Sequence, residues 1–381
     1  MTVPDATAAA RQPRLTPLHA VHRDLGAAMT GFAGWLMPLR YRSETLEHQA
    51  VRSAAGLFDL SHMGEIAVTG PDAGDALDYA LTGRLSVLAP GRARYTMICA
   101  EDGGVLDDLI VYRLAPEEFL VVANAANTAV VSQALAARAS GRRATVRDQT
   151  DGYALIAIQG PRAATILAAL AGIPLGPVRY YASQPATVAG REVLLARTGY
   201  TGEDGFELFT RPEDAPHVWT ELAEAGAPNG LIPAGLAARD TLRLEAGMPL
   251  YGNELGPDVT PFEAGLGRVV AFGKPGDFVG RAALAQRSQA GPSRVLTGLA
   301  AESRRVPRHG YPVLWDGSPV GTVTSGAPYP TLGVPIAMAY LEAGIASAAA
   351  AGSASGRLAV AIRGRTEPAH VVSLPFYRRA D

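Results

Sequence analysis

One stretch of this sequence decides how the fold is interpreted, Gly103-Gly104-Val105-Leu106-Asp107-Asp108-Leu109-Ile110-Val111-Tyr112. A Gly-Gly turn leads two adjacent carboxylates into a β-branched segment that predicts a strand. Because strand side chains alternate between two faces, Asp108 shares one face with Tyr112 while Asp107 lies on the other. A carboxylate on an apolar face is costly unless it is hydrogen-bonded or functional. The pair is therefore either a turn or cap device or a candidate for catalysis.

The composition is that of a globular chain with little net charge. The 381 residues are 48% hydrophobic and 18% charged, and the formal net charge is −2. This length suits two or three domains, and the absence of a basic cluster argues against nucleic acid as the main partner. No apolar run is long enough to cross a bilayer, and residues 1–13 lack the pattern of a secretory signal. We therefore expect a cytoplasmic protein without membrane association.

Several kinds of chemistry are disfavoured by residue usage. Cys99 is the only cysteine, which excludes intramolecular disulfides and cysteine-based zinc sites. The seven histidines show no metal-ligand spacing, so we expect no metal. Lys274 is the only lysine and lies in a glycine- and proline-rich segment that predicts a loop. Schiff-base chemistry is therefore not expected.

Hydrophobic periodicity and capping residues predict a mixed α+β chain. Helices are expected at 16–26 (beginning at Thr16-Pro17), 43–55 (ended by Gly56), 73–81, 163–170, 214–225 and 235–246. Strands are expected at 64–70, 95–99, 109–114, 119–122, 154–159, 186–197 and 205–210. From about residue 296 the chain is β-rich and punctuated by Gly and Pro, which predicts a small barrel or sandwich beyond a boundary near 285–295.

The segment Phe58-Asp59-Leu60-Ser61-His62-Met63-Gly64-Glu65 is rich in polar side chains. It contains the residue types of a Ser-His-Asp triad, but sequence neighbours seldom form one and no Gly-x-Ser-x-Gly motif is present. The alternative is that Asp59 and Ser61 hydrogen-bond local backbone while His62 braces a turn. The residues alone leave both interpretations open.

A second dense segment is Arg197-Thr198-Gly199-Tyr200-Thr201-Gly202-Glu203-Asp204-Gly205-Phe206-Glu207-Leu208. Its glycines allow a sharp turn or a close approach to a ligand. Tyr200 can stack on a flat ring, and Glu207 can accept a hydrogen bond from an aromatic amine. The segment lacks the features of a phosphate loop or a dinucleotide fingerprint. A tight hairpin explains the glycines but not the tyrosine and glutamate together.

Cationic residues mark the last predicted helix and the end of the chain. Arg239 and Arg243 lie at positions i and i+4, where like charges repel by a few tenths of a kcal/mol. Each should therefore face an anionic ligand or an acid, for which Asp240 and Glu245 are available. The closing residues, Leu374-Pro375-Phe376-Tyr377-Arg378-Arg379, predict a tail docked on the body of the protein.

In this order the motifs resemble those of the aminomethyltransferase (T protein) family of the glycine cleavage system. The resemblance extends over nearly the whole chain through further segments: Thr16–Leu18, Gly31–Pro38, Asn124–Asn127, Gln159–Pro161, Pro261–Leu266, Val323–Gly326 and Pro330–Gly333. There are two departures from the family pattern. Ala327-Pro328-Tyr329 replaces a more usual polar-aromatic-Ser stretch, and residues 1–13 are additional.

The resemblance implies an α+β fold of three lobes in a cloverleaf around a central channel that holds tetrahydrofolate. Residues 14–285 would form the folate-binding region as two interleaved lobes, and residues 292–381 would form a C-terminal β-barrel. The implied reaction transfers an aminomethyl carbon from the lipoyl arm of H protein to tetrahydrofolate. Its products are 5,10-methylenetetrahydrofolate, ammonia and dihydrolipoyl H protein.

The resemblance also implies roles for individual residues. Asp108 matches the catalytic acid beside the pterin. The other implied folate contacts are pterin-edge groups (Asn124, Glu207), pocket walls (Tyr95, Tyr200), the neighbouring Tyr112 and arginines at the folate entrance (Arg239, Arg378).

Two other functions are compatible with a folate pocket. A tetrahydrofolate-dependent demethylase of a sulfur or nitrogen methyl compound would use the same cavity. A non-enzymatic, folate-binding iron–sulfur maintenance protein would carry a Lys-Gly-Cys-Tyr-type segment near residues 246–254. This chain has Ala-Gly-Met-Pro-Leu-Tyr-Gly-Asn-Glu there, without Cys or Lys, so the last function is disfavoured.

Overall fold

The computed structural model describes residues 12–328, 331, 333–353 and 357–379. The strands in this part of the chain are β1 Arg14–Leu15, β2 Ala28–Phe32, β3 Trp35–Arg40, β4 Ala55–Asp59, β5 Gly64–Thr69, β6 Arg92–Cys99, β7 Val105–Ala115, β8 Glu118–Ala123, β9 Thr145–Asp148, β10 Ala154–Gln159, β11 Ser183–Val188, β12 Arg191–Ala196, β13 Gly205–Thr210, β14 Leu231–Pro233, β15 Arg294–Ala301, β16 Pro312–Trp315, β17 Ser318–Ala327, β18 Ile336–Glu342, β19 Leu358–Ile362 and β20 Arg365–Val372. The α-helices are α1 His19–Asp24, α2 Glu44–Ser53, α3 Ala73–Ala80, α4 Thr128–Arg138, α5 Ala163–Ala168, α6 Ala215–Gly226, α7 Leu236–Glu245, α8 Arg281–Ala290 and α9 Ala343–Ala348.

The first lobe is an antiparallel sheet of order β6-β7-β8-β5-β9, with helices α3 and α4 packed against it. The predicted carboxylate-bearing strand is β7, and it lies between β6 and β8. Its Gly-Gly turn has a steric cause, since a Cβ on Gly104 would lie 2.0 Å from the carbonyl oxygen of Pro257. Backbone packing therefore requires a glycine directly before the strand.

The second lobe is a six-stranded sheet of order β11-β12-β13-β10-β4-β14. Strand β4 precedes the whole first lobe in sequence, while β10 to β14 follow it, so the two lobes are interleaved along the chain. A short sheet of order β1-β3-β2 accompanies them. Because the sheets are largely antiparallel and the helices do not alternate strictly with strands, the α+β prediction is confirmed.

The third lobe is a closed barrel of order β15-β18-β17-β16-β19-β20. Its interior is apolar, with Leu299, Val313, Val323 and Leu341 fully buried. Closure removes the exposed sheet edges that a sandwich would leave. Of the two architectures predicted for this region, the barrel is therefore the correct one.

An apolar cluster joins the two α+β lobes. Tyr112 and Leu120 of the first sheet pack with Leu155 and Phe209 of the second, and Leu242 of α7 completes the cluster. Backbone hydrogen bonds between residues 91–93 and residues 181–183 bring the sheets together beside this cluster. Two adjoining cavities lie where these elements meet.

Several predicted boundaries need correction. The first helix begins at His19 rather than at Thr16-Pro17, because Thr16 instead forms a turn in which its carbonyl accepts from the His19 amide. Helix α2 begins where predicted, with Ser43 as its N-cap, but Gly56 lies inside β4, where a Cβ would come within 2.4 Å of Val51. The glycine is therefore required by packing rather than by helix termination.

Three helices, α4, α8 and α9, were not anticipated. The polar stretch around residues 286–290, predicted as an interdomain boundary, belongs to α8, which docks through the buried Leu284. Helix α4 follows the Asn124–Asn127 turn and was missed because its apolar residues show almost no periodicity. Residues 1–11 of the additional leader, and Tyr329, Pro330 and Leu332 of the family motifs, lie outside the described residues. No helix in the described ranges combines the length and hydropathy needed to span a membrane.

Candidate active site

Two adjoining cavities occupy the junction of the lobes. The inner cavity, of about 290 Å³, is lined by residues of β7 and of the β12–β13 loop. The outer cavity, of about 490 Å³, extends from there toward the β2–β3 turn and the barrel residues Arg308 and Gly326. Four residues line both cavities, namely Met63, Asn124, Tyr200 and Arg239. A ligand in one cavity would therefore meet a ligand in the other at this shared boundary.

Asp108 presents its carboxylate to the inner cavity between two hydrogen-bond donors. The Tyr95 hydroxyl donates to Oδ2 over 3.0 Å, and the Asn124 amide donates to Oδ1 over 2.8 Å. Burial raises the pKa of Asp108, while these two donors act in the opposite direction. The carboxylate is thus fixed in orientation and has a pKa closer to neutrality than an exposed aspartate.

Asp107 occupies the opposite face of β7, as the strand alternation predicted. It is 0% exposed and accepts from the Asn124 backbone amide, the Asn124 side chain and the Asn127 side chain over 2.7–3.0 Å. Burial, and next the neighbouring Asp108 charge, raise the pKa of Asp107 to about 7. Asp107 therefore stabilises the Asn124–Asn127 turn, while Asp108 faces the cavity and is available to a ligand.

Glu207 forms the second carboxylate of the inner cavity and comes from β13 of the other lobe. Its Oε2 accepts hydrogen bonds from Thr198 and, over 3.3 Å, from the Tyr112 hydroxyl. The two tightly packed sheets thus each contribute one oriented acid to the same cavity. Burial and then the Glu207 charge raise the pKa of Tyr112 well above its usual value, so the phenol stays neutral and can act as a donor.

The segment 197–208 is both a hairpin and a cavity wall. Residues 197–204 connect the antiparallel strands β12 and β13, and an Arg197–Asp204 ion pair of 2.7 Å closes the loop. A Cβ on Gly199 would lie 2.0 Å from the Gln159 side-chain oxygen. The glycine permits this close approach, which lets the loop place Tyr200 in both cavities.

The two arginines of α7 have different environments. Arg243 is 0% exposed and pairs with Glu254 over 2.8 Å and with Asp240 over 2.7 Å. Arg239 lines both cavities, and its guanidinium lies 4.8 Å from the centroid of the Tyr200 ring. Among the described residues, no carboxylate lies within ion-pair distance of Arg239. Arg239 is therefore available to an anionic ligand, and the acid-paired alternative applies to Arg243 alone.

Glu245, which was considered as a partner for these arginines, belongs to another network. Its carboxylate pairs with Arg52 over 2.8 Å and with His48 over 3.0 Å. The Tyr377 ring stacks over the Arg52 guanidinium at 4.0 Å, and the Tyr377 amide donates to the Glu245 carbonyl. The C-terminal tail is docked as predicted. Arg378 follows directly, but it is exposed and lies outside the residues that line the two cavities.

The Asp59–Ser61–His62 group is not a catalytic triad. Asp59 pairs with His22 over 2.8 Å and accepts from the Ser61 amide, while the Ser61 hydroxyl accepts from the Leu155 amide. The local structural interpretation is thus right for Asp59 and Ser61. His62 instead lines the outer cavity and has no hydrogen-bond partner among the described residues.

Tyr181 is an aromatic cavity residue that sequence reasoning missed. Tyr181 lines the inner cavity and has a left-handed backbone with φ of +57°. A non-glycine residue in this region costs on the order of 1–3 kcal/mol. The strain is supported by hydrogen bonds of Tyr181 to the Arg197 carbonyl and the Ala93 amide. A Tyr-Tyr pair in a loop gives no periodic signal that could have revealed this.

The described residues contain no group of three or more His, Cys, Asp or Glu arranged to hold a metal ion. The site is a partly enclosed cavity with aromatic walls, two oriented carboxylates and an unpaired guanidinium. Together with the three-lobed fold, these features define a small-molecule enzyme site built at a domain junction.

Comparisons with known proteins identify the family. Residues 18–274 match the GCVT N-terminal domain, and residues 294–378 match the glycine cleavage T-protein C-terminal barrel domain. The aminomethyltransferase of Streptomyces avermitilis is 62% identical over 96% of this chain and 98% of its own length. That of Cutibacterium acnes is 50% identical over 96% of this chain and 99% of its own. The crystal structure of the glycine cleavage aminomethyltransferase from Bartonella henselae superposes with a TM-score of 0.87 at 37% identity, covering 96% of this chain and 98% of the other.

The chain therefore belongs to the aminomethyltransferase (T protein) family of the glycine cleavage system and is a transferase enzyme. This confirms the family and the fold that the sequence motifs indicated. The roles of the individual site residues remain predictions.

Proposed function

We propose that this enzyme transfers the aminomethyl carbon of lipoyl H protein to tetrahydrofolate, which gives 5,10-methylenetetrahydrofolate, ammonia and dihydrolipoyl H protein. The observation that carries this proposal is the pairing of Asp108 and Glu207, two oriented carboxylates from different lobes, in one aromatic-walled cavity. The family uses tetrahydrofolate as its co-substrate, and the cavity has the chemistry to bind it.

The inner cavity suits a flat heterocycle with donor groups along its edge. Tyr95, Tyr181 and Tyr200 supply aromatic walls, and Glu207 supplies a buried acceptor for an exocyclic amine or a ring N–H. Arg239 at the boundary of the outer cavity suits the glutamate carboxylate of a folate, because guanidinium binds carboxylate in a bidentate manner. These groups would orient the pterin with its reactive nitrogens toward Asp108.

Asp108 supplies both charge and proton transfer in this proposal. Loss of ammonia from the donor develops positive charge on the transferred carbon, and a fixed carboxylate in a poorly hydrated cavity stabilises it. The raised pKa of Asp108 also suits it to accept a proton from a folate amine. Positioned acid–base groups typically contribute about 10²–10⁴-fold to a rate.

The donor carbon is expected to arrive already activated on its carrier, because the chain offers no evident covalent station for it. Cys99 is buried and its pKa is raised to about 12, so it remains a thiol. The single lysine, Lys274, is also buried and donates to the carbonyls of Leu81 and Gly83. Neither side chain lines either cavity.

The demethylase alternative would use the same inner cavity, and only the donor distinguishes it from aminomethyl transfer. The iron–sulfur maintenance alternative is weakened further by the family relationship, since the relatives described above are aminomethyltransferases. Cytoplasmic localisation and the domain limits 14–285 and 292–381 stay predictions.

A donor comparison tests the proposal. Methylenetetrahydrofolate formation would be measured with aminomethylated H protein, with free lipoamide carrying the same group, and with dimethylglycine. We expect efficient turnover only with the protein carrier, because tethering makes the reaction effectively unimolecular. Efficient use of dimethylglycine with little response to H protein would contradict the proposal and support the demethylase.

A further inference from the structure

His62 is the one histidine that lines either cavity in the described part of the chain, and the network around Asp108 does not involve it. His62 is 3% exposed, and its Nδ1 is buried without a hydrogen-bond partner among the described residues. An unpaired polar atom in such a place is costly, so it points to a ligand that would supply the missing partner. Its neighbour in sequence, Met63, lies at the boundary that the two cavities share.

The surroundings keep His62 uncharged. Burial, and next the nearby Arg239 guanidinium, lower the pKa of His62 to about 4. The Phe32 ring packs edge-on against the imidazole, with 5.6 Å between the ring centroids. At neutral pH the ring therefore offers one acceptor nitrogen and one N–H donor, and it is too weak a base to remove a proton from an ammonium group.

The proposed reaction needs such an acceptor on the donor side. In the donor –S–CH₂–NH₃⁺, the carbon–nitrogen bond breaks with its electron pair leaving on nitrogen as ammonia. One folate nitrogen then bonds to the carbon, and the second displaces sulfur, which leaves as a thiolate. Of the two folate N–H protons, one converts ammonia to ammonium and the other converts the thiolate to a thiol. The amine must stay protonated until it leaves, so its binding group must accept a hydrogen bond without taking the proton.

We propose that His62 is the binding group for the departing amine, with a ring nitrogen accepting a hydrogen bond from the aminomethyl –NH₃⁺ in the outer cavity. This inference rests on the function proposed above. It places the donor arm in the outer cavity and the folate in the inner cavity, so that the transferred carbon lies at their shared boundary near Met63. His62 is then distinct from Asp108, which acts on the folate side.

The reverse reaction tests this assignment, because ammonium is then a substrate with its own KM. The enzyme would be given ammonium chloride, methylenetetrahydrofolate and dihydrolipoyl H protein, and the KM of each would be measured for wild type and variants. Loss of a hydrogen bond to a charged group should raise the ammonium KM of His62→Leu about tenfold or more. The KM for methylenetetrahydrofolate should stay within about twofold. His62→Gln should recover part of the ammonium affinity, because its amide oxygen is an acceptor.

His217→Gln is the matched control, because His217 is exposed on α6, lies outside both cavities, and its ring hydrogen-bonds the Ala189 carbonyl. The His217→Gln variant should leave every KM unchanged. Thermal unfolding should show that both His62 variants remain folded. An unchanged ammonium KM in His62→Leu would overturn the inference, as would an increase confined to dihydrolipoyl H protein, which would assign His62 to sulfur. If wild type neither releases ammonia in the forward reaction nor consumes ammonium in the reverse reaction, the proposed function itself fails.

Discussion

Strand β7 and helix α7 both line the inner cavity, and each carries a pair of like charges of which one member faces that cavity. On β7, Asp108 faces the cavity and Asp107 faces the protein interior. On α7, Arg239 lines both cavities, whereas Arg243 reaches only the wall of the outer cavity and is fully buried with its partners. In both elements the interior member has more hydrogen bonds to the protein than the cavity member, since the Asp107 carboxylate accepts three and that of Asp108 two, while Arg239 has no ion-pair partner among the described residues.

The two pairs differ in how their members communicate. The Asn124 side chain donates to both Asp107 and Asp108 over 2.8 Å, so the interior acid holds the residue that orients the cavity acid. No such bridge is seen between Arg239 and Arg243 in the described contacts. The interior arginine instead ties α7 to Glu254 and to Ser325 of the barrel. We therefore expect Asp107 and Asp108 to be functionally coupled. In the α7 pair, we expect Arg243 to affect stability and Arg239 to affect ligand binding.

The largest effect is expected from breaking the interior ion pair of α7. Arg243→Met would leave the fully buried Glu254 without its charge partner, which typically costs about 3–5 kcal/mol. Thermal and denaturant unfolding would measure the loss. The double variant with Glu254→Gln should recover a substantial part of it. Equal destabilisation in the single and double variants would show that Arg243 acts through another contact.

Asp108→Asn tests the cavity member of the β7 pair. The amide keeps the shape of the side chain but removes its charge and its basicity, so turnover should fall by about 10²-fold or more. Tetrahydrofolate affinity, measured by equilibrium binding, should change far less. A loss of binding that equals the loss of turnover would place Asp108 in substrate recognition rather than in chemistry.

Asp107→Asn tests the coupling and should reduce turnover by about tenfold, less than Asp108→Asn, because Asn124 would lose part of its support. A loss at position 107 as large as that at position 108 would contradict the assignment of the two faces.

Asp107→Asn should also change how the unfolding free energy depends on pH. The folded-state pKa of Asp107 is raised to about 7, above the unfolded value near 4, so the folded protein holds an extra proton between these values. Stability is therefore lost as the pH rises through this window. Asp107→Asn removes that contribution, and its unfolding free energy should fall less than that of wild type between about pH 4 and 7. Parallel curves for the two proteins would refute this.

Local rules were sufficient for much of the fold and for the orientation of β7. Strand alternation predicted that Asp107 and Asp108 lie on opposite faces, and the family resemblance indicated Asp108 as the acid in the cavity. Helix α2 starts after Ser43, where its beginning was expected. The family motifs then indicated the C-terminal barrel and the junction of the lobes. Periodicity alone did not distinguish a barrel from a sandwich. These successes concern features that are encoded within a few neighbouring residues.

The missed features depend on contacts that are distant in sequence. Arg243 pairs with Glu254 rather than with Glu245, because Glu245 is occupied by Arg52, 193 positions away. Tyr181 enters the cavity through a strained backbone held by Ala93 and Arg197. The sequence offers no local signal for either arrangement, since each is fixed by packing between lobes.

Arg239→Gln tests the cavity member of the α7 pair and should raise the KM for tetrahydrofolate about tenfold, the scale of one lost charged hydrogen bond. Turnover at saturation and thermal stability should change little, because Arg239 has no ion-pair partner among the described residues. Arg243→Met provides the contrast, with stability rather than KM affected. A collapse of turnover in Arg239→Gln would instead place the guanidinium at the reacting centre.

The smallest effect is expected at Arg378, which the family resemblance assigns to the folate entrance but which lies exposed beyond the docked Tyr377. An exposed charge acts on a ligand through solvent, so Arg378→Ala should raise the KM for tetrahydrofolate only a few-fold. The effect should grow for polyglutamylated folate at low salt and disappear near 0.15 M salt, where the screening length is about 8 Å. A tenfold effect that persists in high salt would show that Arg378 moves into direct contact with the folate, on a par with Arg239.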